Sequence, residues 1–318
     1  MRIQMEPRRD SGASDFLVQL CQRVASKDPE EAVDCMRILI QIAGNAETRL
    51  RLQKYPIVPA LAEQMGHGSD SAEIVVLMSR LLVLLLKSTE NQEYISSSTD
   101  AMKVLKELVE LSQVHITMAG ERDADYHEVI TSCCHAYYLM SKTMWTLPRL
   151  VAAHVPETCG EVVLRPKVSM RALLYASAAI LHLADPASDA FDERESRSLA
   201  ILHKCLDAPD ARARQLALEL VSALSALPHL TERLFKAGLL QILLELVDPK
   251  RDHASTVVTT ESLRLLSAFA RDPATARHVL QGDVAKKALK QLSKSGDSQE
   301  SAMAKLVLDD LKAAKKGK

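Results

Sequence analysis

The sequence predicts an all-α fold, an α-solenoid of stacked helical units, and three observations support this prediction. Aromatic residues make up only 3% of the 318 residues, whereas Leu and Ala, which favour helix, are abundant. Ten Gly and twelve Pro are too few for the many tight turns of a β-sandwich or barrel. The third observation is an internal repeat of about 42 residues, the signature of helical repeat arrays.

The repeat is visible in four segments, each with a polar start, a long apolar helix, a short polar link and an amphipathic helix. They cover residues 28–65, 70–111, 210–247 and 252–292. Asp28 and Asp70 are 42 residues apart, as are Asp210 and Asp252. Each Asp is interpreted as a helix N-cap or turn residue.

The remaining stretches complete the predicted domain organisation. Residues 112–165 are expected to form a divergent third repeat with an insertion, and 166–209 a fourth. SQESAMAKLVLDDLKAA, near the C-terminus, is expected to be a helix that caps the stack. The prediction is a right-handed superhelix of about six repeats and a C-terminal capping helix, forming one domain over residues 15–310. A flexible segment, 1–14, would precede it, and a Lys-rich tail, 311–318, would follow.

Stacking is expected because one helical hairpin of about 40 residues cannot bury its apolar face alone. The helix around Leu81–Leu86 is apolar nearly all round, as a helix between two layers should be. The helix that follows is two-sided, with apolar residues such as Leu105 and Leu108 on one face and Lys103 and Lys106 on the other.

Two segments carry a resemblance to a known family. FKAGLLQILLELV (235–247) resembles the armadillo-repeat stretch in which a Gly precedes the third helix, and YPIVPALAEQM (55–65) looks like the same element with Pro59 near the helix start. The resemblance extends over roughly 28–111 and 210–292. Importin-α-like members carry repeated Trp and Asn on their third helices. This chain has one Trp and two Asn, which disfavours a nuclear-import-signal receptor.

The armadillo resemblance implies a concave groove, lined by third helices, that holds a protein partner as a peptide, helix or folded domain. The polar residues expected to face this groove are Lys103, Lys106, Glu107, Gln241, Glu245, Lys286, Lys287 and Lys290. A solvated helix face would show the same pattern, and that alternative stays open.

A second candidate surface lies in the divergent middle. Tyr137 and Tyr138 are adjacent, so on a helix they point about 100° apart and are hard to bury together. With Trp145 nearby they form a predicted apolar anchor for a partner, because aromatic residues are enriched at binding hot spots. Core packing within an irregular repeat is the alternative. Residues 156–167 are expected to form a projecting loop that also contacts a partner.

Charge gives a local signal only. The net charge is −1 and the pI about 6.8, which gives no overall reason to expect nucleic-acid or membrane binding. The segment from Lys286 to Lys318, however, contains nine Lys and only four acidic residues. This basic end is expected to attract an acidic partner with salt-sensitive affinity, unless its Lys residues serve only solubility and the helix C-terminus. No aromatic interleaving indicates specific nucleic-acid recognition.

No residue pattern indicates catalysis, a cofactor or a metal ion, so a non-enzymatic protein is predicted. Cys134 and His135 are neighbours on a helix, where adjacent side chains point apart. His127 and His135 are two turns apart, too far to share one ion. The six cysteines form no CxxC pair, which indicates small core residues in a reducing compartment and hence a cytoplasmic protein.

The predicted function is that of a protein-binding scaffold or adaptor. Two alternatives remain at this stage. One is a chaperone cofactor, by analogy of fold with the small armadillo exchange factors of the seventy-kilodalton heat-shock chaperones. The other is a component of a cytoskeletal or flagellar assembly, whose Lys-rich end would contact acidic tubulin tails.

Overall fold

Helices provide all the regular secondary structure in the part of the chain that the structure describes. The structure is a computed structural model, and the chain divides into two compact units, Met1–Ala172 and Leu173–Lys318. The described residues are 11–67, 71–119, 123–165, 168–185, 187, 191–227, 230, 231, 233, 234, 237–247, 256–270, 283–294 and 299–316.

In the first unit the described residues form one initial helix and three repeats of three helices each. The helices are α1 (Ser11–Val24), α2 (Pro29–Gly44), α3 (Ala46–Leu52), α4 (Ile57–Gly66), α5 (Ala72–Leu85), α6 (Thr89–Ser97), α7 (Thr99–Ala119), α8 (Ala124–Ser141), α9 (Leu147–Ala152) and α10 (Val155–Leu164). In each repeat a long first helix is followed by a short second helix and then a third helix.

In the second unit the described residues provide the first and third helices of three further repeats and a final helix. These are α11 (Met170–His182), in whose first turn the division between the units falls, α12 (Glu193–Leu206), α13 (Ala211–Ser225), α14 (Leu239–Leu246), α15 (Thr256–Ala270), α16 (Asp283–Leu292) and α17 (Gln299–Lys316). The predicted all-α fold of stacked helical repeats with a terminal helix is confirmed in the described residues. A single array over 15–310 stays a prediction.

Helices of the same type stack on each other within each unit. In the first unit α5 packs between α2 and α8, while α4 packs on α7 and on α1. In the second unit α15 packs between α13 and α17, and α12 packs on α14. Leu81, Leu82 and Leu85 of α5 are buried, which confirms a first helix sandwiched between layers.

Three expectations about element boundaries are corrected. The polar link of each of the first two repeats contains a short helix, α3 or α6. The extra length assigned to an insertion in the third repeat lies in the second, because α7 continues to Ala119 instead of ending at Leu111. Residues 156–164 do not form a projecting loop, since α10 extends from Val155 to Leu164 with Pro156 in its first turn, where proline is tolerated. Residues 166 and 167 lie outside the described residues.

The chain ends also differ in detail from the prediction. Helix α1 begins at Ser11, inside the segment 1–14 that the sequence analysis expects to be flexible. Residues 1–10 lie outside the described residues. Helix α17 continues to Lys316, so most of the Lys-rich segment 311–318 is its last turn and a half.

The polar residues at the repeat starts act as helix caps where the structure describes them. Asp28 accepts a hydrogen bond from the backbone N of Glu30 at 3.1 Å, and Asp210 accepts one from Arg212 N at 3.0 Å. These contacts confirm the N-cap interpretation for both residues. Asp70 and Asp252 lie outside the described residues.

A recurring hydrogen bond closes the C-terminal end of the first helix in four repeats. In each, a side chain donates to the backbone carbonyl six residues earlier, at the end of the helix where carbonyls lack a full set of intrahelical partners. The pairs are Thr48 to Ile42, Asn91 to Leu85, Thr146 to Met140 and Thr231 to Ser225. These bonds fix how the chain turns from each first helix into the link that follows.

A buried ion pair anchors the start of α12 in the second unit. Arg233 Nη2 lies 2.7 Å from Glu195 Oε2, and the two side chains are only 6% and 10% exposed. Arg233 also donates to the Asp185 carbonyl at 3.2 Å and lies over the Phe191 ring. Glu195 in turn forms a capping box with Asp192, so the arginine holds both the cap and the loop before it.

Replacing Arg233 by Met should lower the free energy of unfolding by about 3–5 kcal/mol, because Glu195 would be left buried without a counter-charge. The double variant Glu195→Gln with Arg233→Met should lose clearly less, since no buried charge remains. Urea denaturation followed by circular dichroism measures both. Equal losses in the single and double variants would contradict this account of the pair.

Candidate functional site

A surface depression separates the third helices of the first two repeats. It has a volume of about 450 Å³ and lies between α4 and α7. Its lining residues are Ala62, Met65, Gly66, Asp100, Lys103, Val104, Glu107, Glu110, Leu111 and Val114. The depression therefore lies where the armadillo resemblance implies a binding groove.

The walls of this depression are charged, and carboxylates predominate. Asp100, Glu107 and Glu110 face one cation, Lys103, whose Nζ lies 3.7 Å from Glu107 Oε1. Lys106 makes a similar contact with Glu110 at 3.7 Å. Such exposed ion pairs, one helical turn apart, each contribute only about 0.3–0.5 kcal/mol to stability. Their charges are consequently available to a partner at little cost.

The floor is apolar and continues along α7. Val114 lines the depression and is 49% exposed, and Met118, four residues further on and so on the same helix face, is 82% exposed. Both lie in the part of α7 beyond Leu111, where the sequence analysis ended this helix. These apolar contact residues were therefore missed, although their i, i+4 spacing was present in the sequence.

The other predicted groove residues lie on the third helices of the second unit. Gln241 and Glu245 are exposed on α14, where Gln241 Nε2 donates to Glu245 Oε1 at 3.1 Å. Lys287 and Lys290 are exposed on α16, and the side chain of Lys286 in the same helix lies outside the described residues. A role of these five residues in partner binding stays a prediction.

The predicted exposure of Tyr137 and Tyr138 is wrong. Tyr137 is 1% exposed and Tyr138 is 7% exposed. Helix α8 packs against α5, α6, α7 and α9, so side chains that point about 100° apart still meet a neighbouring helix. The alternative of core packing is correct for these two residues, and a partner cannot reach them in this packing.

Trp145, in contrast, is presented to solvent on a well-anchored turn between α8 and α9. It is 70% exposed, and the preceding Met144 is 74% exposed. The turn is held by two buried threonines: Thr143 donates to Gln92 Oε1 at 2.6 Å, and Thr146 donates to the Thr143 carbonyl at 2.6 Å. A rigid backbone that exposes two large apolar side chains suits an anchor, because little conformational entropy is lost on binding.

The Cys134 thiol lacks the environment of a reactive cysteine. Burial raises the pKa of the Cys134 thiol to about 12, so the thiol stays protonated and unreactive. All six cysteines are buried and unpaired with one another, as expected of core residues. In the described ranges no cluster of three or more His, Cys, Asp or Glu side chains could hold a metal ion, and none of the described helices could cross a membrane.

His135 is held neutral by its surroundings. Burial, followed by the charges of Lys87, Arg171 and Lys142, lowers its pKa from 6.5 to about 4. In the unfolded chain the same imidazole takes up a proton below about pH 6.5. Protonation consequently favours the unfolded state as the pH falls from 6.5 towards 4.

Substitution of Trp145 and of Tyr137 should distinguish an exposed aromatic residue from a buried one. Trp145→Ala should change the free energy of unfolding by no more than about 0.5 kcal/mol, whereas Tyr137→Ala should cost about 3–5 kcal/mol. Urea denaturation followed by circular dichroism measures both. Because Trp145 is the only Trp, iodide should also quench the native fluorescence, and a native emission shielded from iodide would contradict the exposed turn.

Replacing His135 by Gln should reduce the loss of stability between pH 6.5 and 4 by about 1–3 kcal/mol. The measurement is the free energy of unfolding across this pH range. An identical pH profile for wild type and His135→Gln would show that this histidine is not held neutral.

Comparisons with known proteins report similar repeat structures. No family model matches the chain, and no curated protein matches it. A computationally designed armadillo repeat protein for modular peptide recognition is similar at 17% identity and a TM-score of 0.46, over 92% of this chain and 99% of that chain. A designed armadillo repeat protein in complex with the peptide (KR)4 is similar at 18% identity and a TM-score of 0.46, over 93% and 99%.

Proposed function

We propose that this protein is a non-enzymatic scaffold or adaptor that binds a segment of a partner protein in the depression between α4 and α7. The observation that carries the proposal is the position of this depression on consecutive third helices, together with its combination of apolar floor and charged walls. Core-apolar and rim-polar composition is typical of protein interfaces.

The depression suits an elongated protein segment. It is open, and exposed Val114 and Met118 extend its apolar surface along α7. The walls come from helices whose backbones are fixed by stacking on α1 and α8, which keeps the site pre-formed. In this proposal Lys103 and Glu107 contact the partner from inside the depression and Lys106 from its edge.

Further contacts are proposed outside this depression. Trp145 would serve as a separate apolar anchor, and Gln241, Glu245 and the Lys residues of α16 would contact a partner of the second unit. We also propose that the protein acts without a cofactor and in the cytoplasm, a reducing compartment that suits its six buried cysteines.

Site-specific photo-crosslinking tests the location of the partner. A photoreactive amino acid at Val114 should capture a discrete set of proteins in cells, identified by mass spectrometry, because a bound segment would lie against this side chain. The matched control is Val151 on α9, since the two valines are 49% and 51% exposed. No protein enriched at Val114 over Val151 would rule out the depression as a binding site.

Charge reversal then tests the walls against the captured partner. The variant Glu107→Lys with Glu110→Lys should reduce affinity at least tenfold, equivalent to about 1.4 kcal/mol, because three carboxylates and one Lys would become one carboxylate and three Lys. Glu90→Lys with Glu93→Lys makes the same charge change on exposed positions of α6 and should bind normally. Equal affinity of the two variants would count against the proposal.

A further inference from the structure

The first and last described helices are of different types, and among the described residues neither has the helix that would complete its repeat. Helix α1 is a third helix, because it packs on α4 as α4 packs on α7. Helix α17 is a first helix, because it packs on α15 as α5 packs on α2.

An open slot between α1 and α2 lies where a further first helix would pack. Inside the first unit α5 packs against both α7 and α8, a third helix and the first helix that follows it. The corresponding pair at the start of the array is α1 and α2, and between them lies a slot of about 590 Å³. A helix of the α5 type would occupy this slot.

The slot is apolar at its centre and acidic at its edge. Phe16 is 50% exposed and Ile38 is 38% exposed. This exposure is unusually high for large apolar residues between two packed helices. The charged residues of the lining are Asp28, Glu30, Glu31, Asp34 and Arg23. Four carboxylates face one guanidinium, which lies 3.4 Å from Glu31, so the slot favours a basic helix with apolar residues.

The exposed face of α17 carries basic and apolar residues. Ser301, Ala304, Val307 and Leu311 are buried against the rest of the second unit. The exposed residues of the opposite stripe are Ala302, Lys305, Leu306, Asp309, Lys312 and Ala313. Two lysines, small and apolar side chains and one carboxylate share this stripe, and Lys312 Nζ lies 2.8 Å from Asp309 Oδ1. Further Lys follow at 315, 316 and 318.

We propose that the slot binds α17 of a second copy of this chain. Together, α17 of one copy and α1 of the next would form a composite repeat, and Lys305 and Lys312 would face the carboxylates at the edge of the slot. The two surfaces differ, so the contact is heterologous and can continue from copy to copy. The acidic partner predicted for the Lys-rich end would then be the slot itself.

Sedimentation velocity of the full-length chain tests this contact. Wild type should form dimers and larger species as concentration rises at about 0.05 M salt, and should dissociate at about 0.5 M salt, because screening weakens exposed charge pairs. The slot variant, Glu30→Lys with Asp34→Lys, and the helix variant, Lys305→Glu with Lys312→Glu, should each remain monomeric. Circular dichroism confirms that each variant keeps its helix content.

The two variants also complement each other. An equimolar mixture should associate again, because each unmodified surface meets its partner and each reversed surface meets a reversed one. A control variant, Lys54→Glu with Lys204→Glu, makes the same net charge change as the helix variant, but at exposed residues elsewhere. It should associate like wild type.

Three outcomes would overturn the proposal. Wild type that stays monomeric at low salt would mean that the slot is filled by another part of the chain or by a different protein. Association that persists in either single-surface variant would indicate a symmetric or unrelated contact. A mixture that fails to associate would show that the two surfaces do not meet.

Discussion

The structure depends on the burial of each first helix between the first helices of its neighbours. Helix α5 is covered by α2 on one side and α8 on the other, and its leucines could not be removed from water by the other helices of its own repeat. Apolar burial contributes about 25 cal/mol per Å², so the stability of a repeat comes largely from its neighbours. Third helices, which lie at the edge of this stack, are free to carry polar residues on one face, and the candidate site lies there.

Much of this fold was predictable because periodicity survives in the strongly packed elements. The first helices, the third-helix start after Gly238 and the caps at Asp28 and Asp210 all follow from local patterns, and Gly238 does adopt a left-handed φ of 87°. The ends of the helices were harder to predict. Nothing local stops α7 at Leu111, and Pro156 and Gly160 make α10 resemble a loop, although Gly160 is buried and tolerated within the packed helix.

The candidate site was predictable in position but only partly in composition. Lys103 and Glu107 follow from the polar face of α7, whereas Val114 and Met118 lie beyond the predicted helix end. Tyr137 and Trp145 show a second limit of prediction from sequence. Both are aromatic and near each other in the chain, so the sequence does not distinguish them. Their burial differs because one faces neighbouring helices and the other lies on a turn, and only tertiary packing decides this. The role of Thr231 likewise depends on the carbonyl that it contacts, which the sequence alone does not identify.

The hydrogen bonds from Thr48, Asn91, Thr146 and Thr231 have a consequence for how such a chain can diverge. They fix the corner after each first helix, whereas the length between successive first helices varies, as the starts at residues 29, 72, 124 and 170 demonstrate. Additions can therefore accumulate at the far end of a third helix, as in α7, while the geometry of the stack is preserved. An ancestral array could in this way enlarge or reshape its interaction surface by lengthening one helix, and keep its core intact.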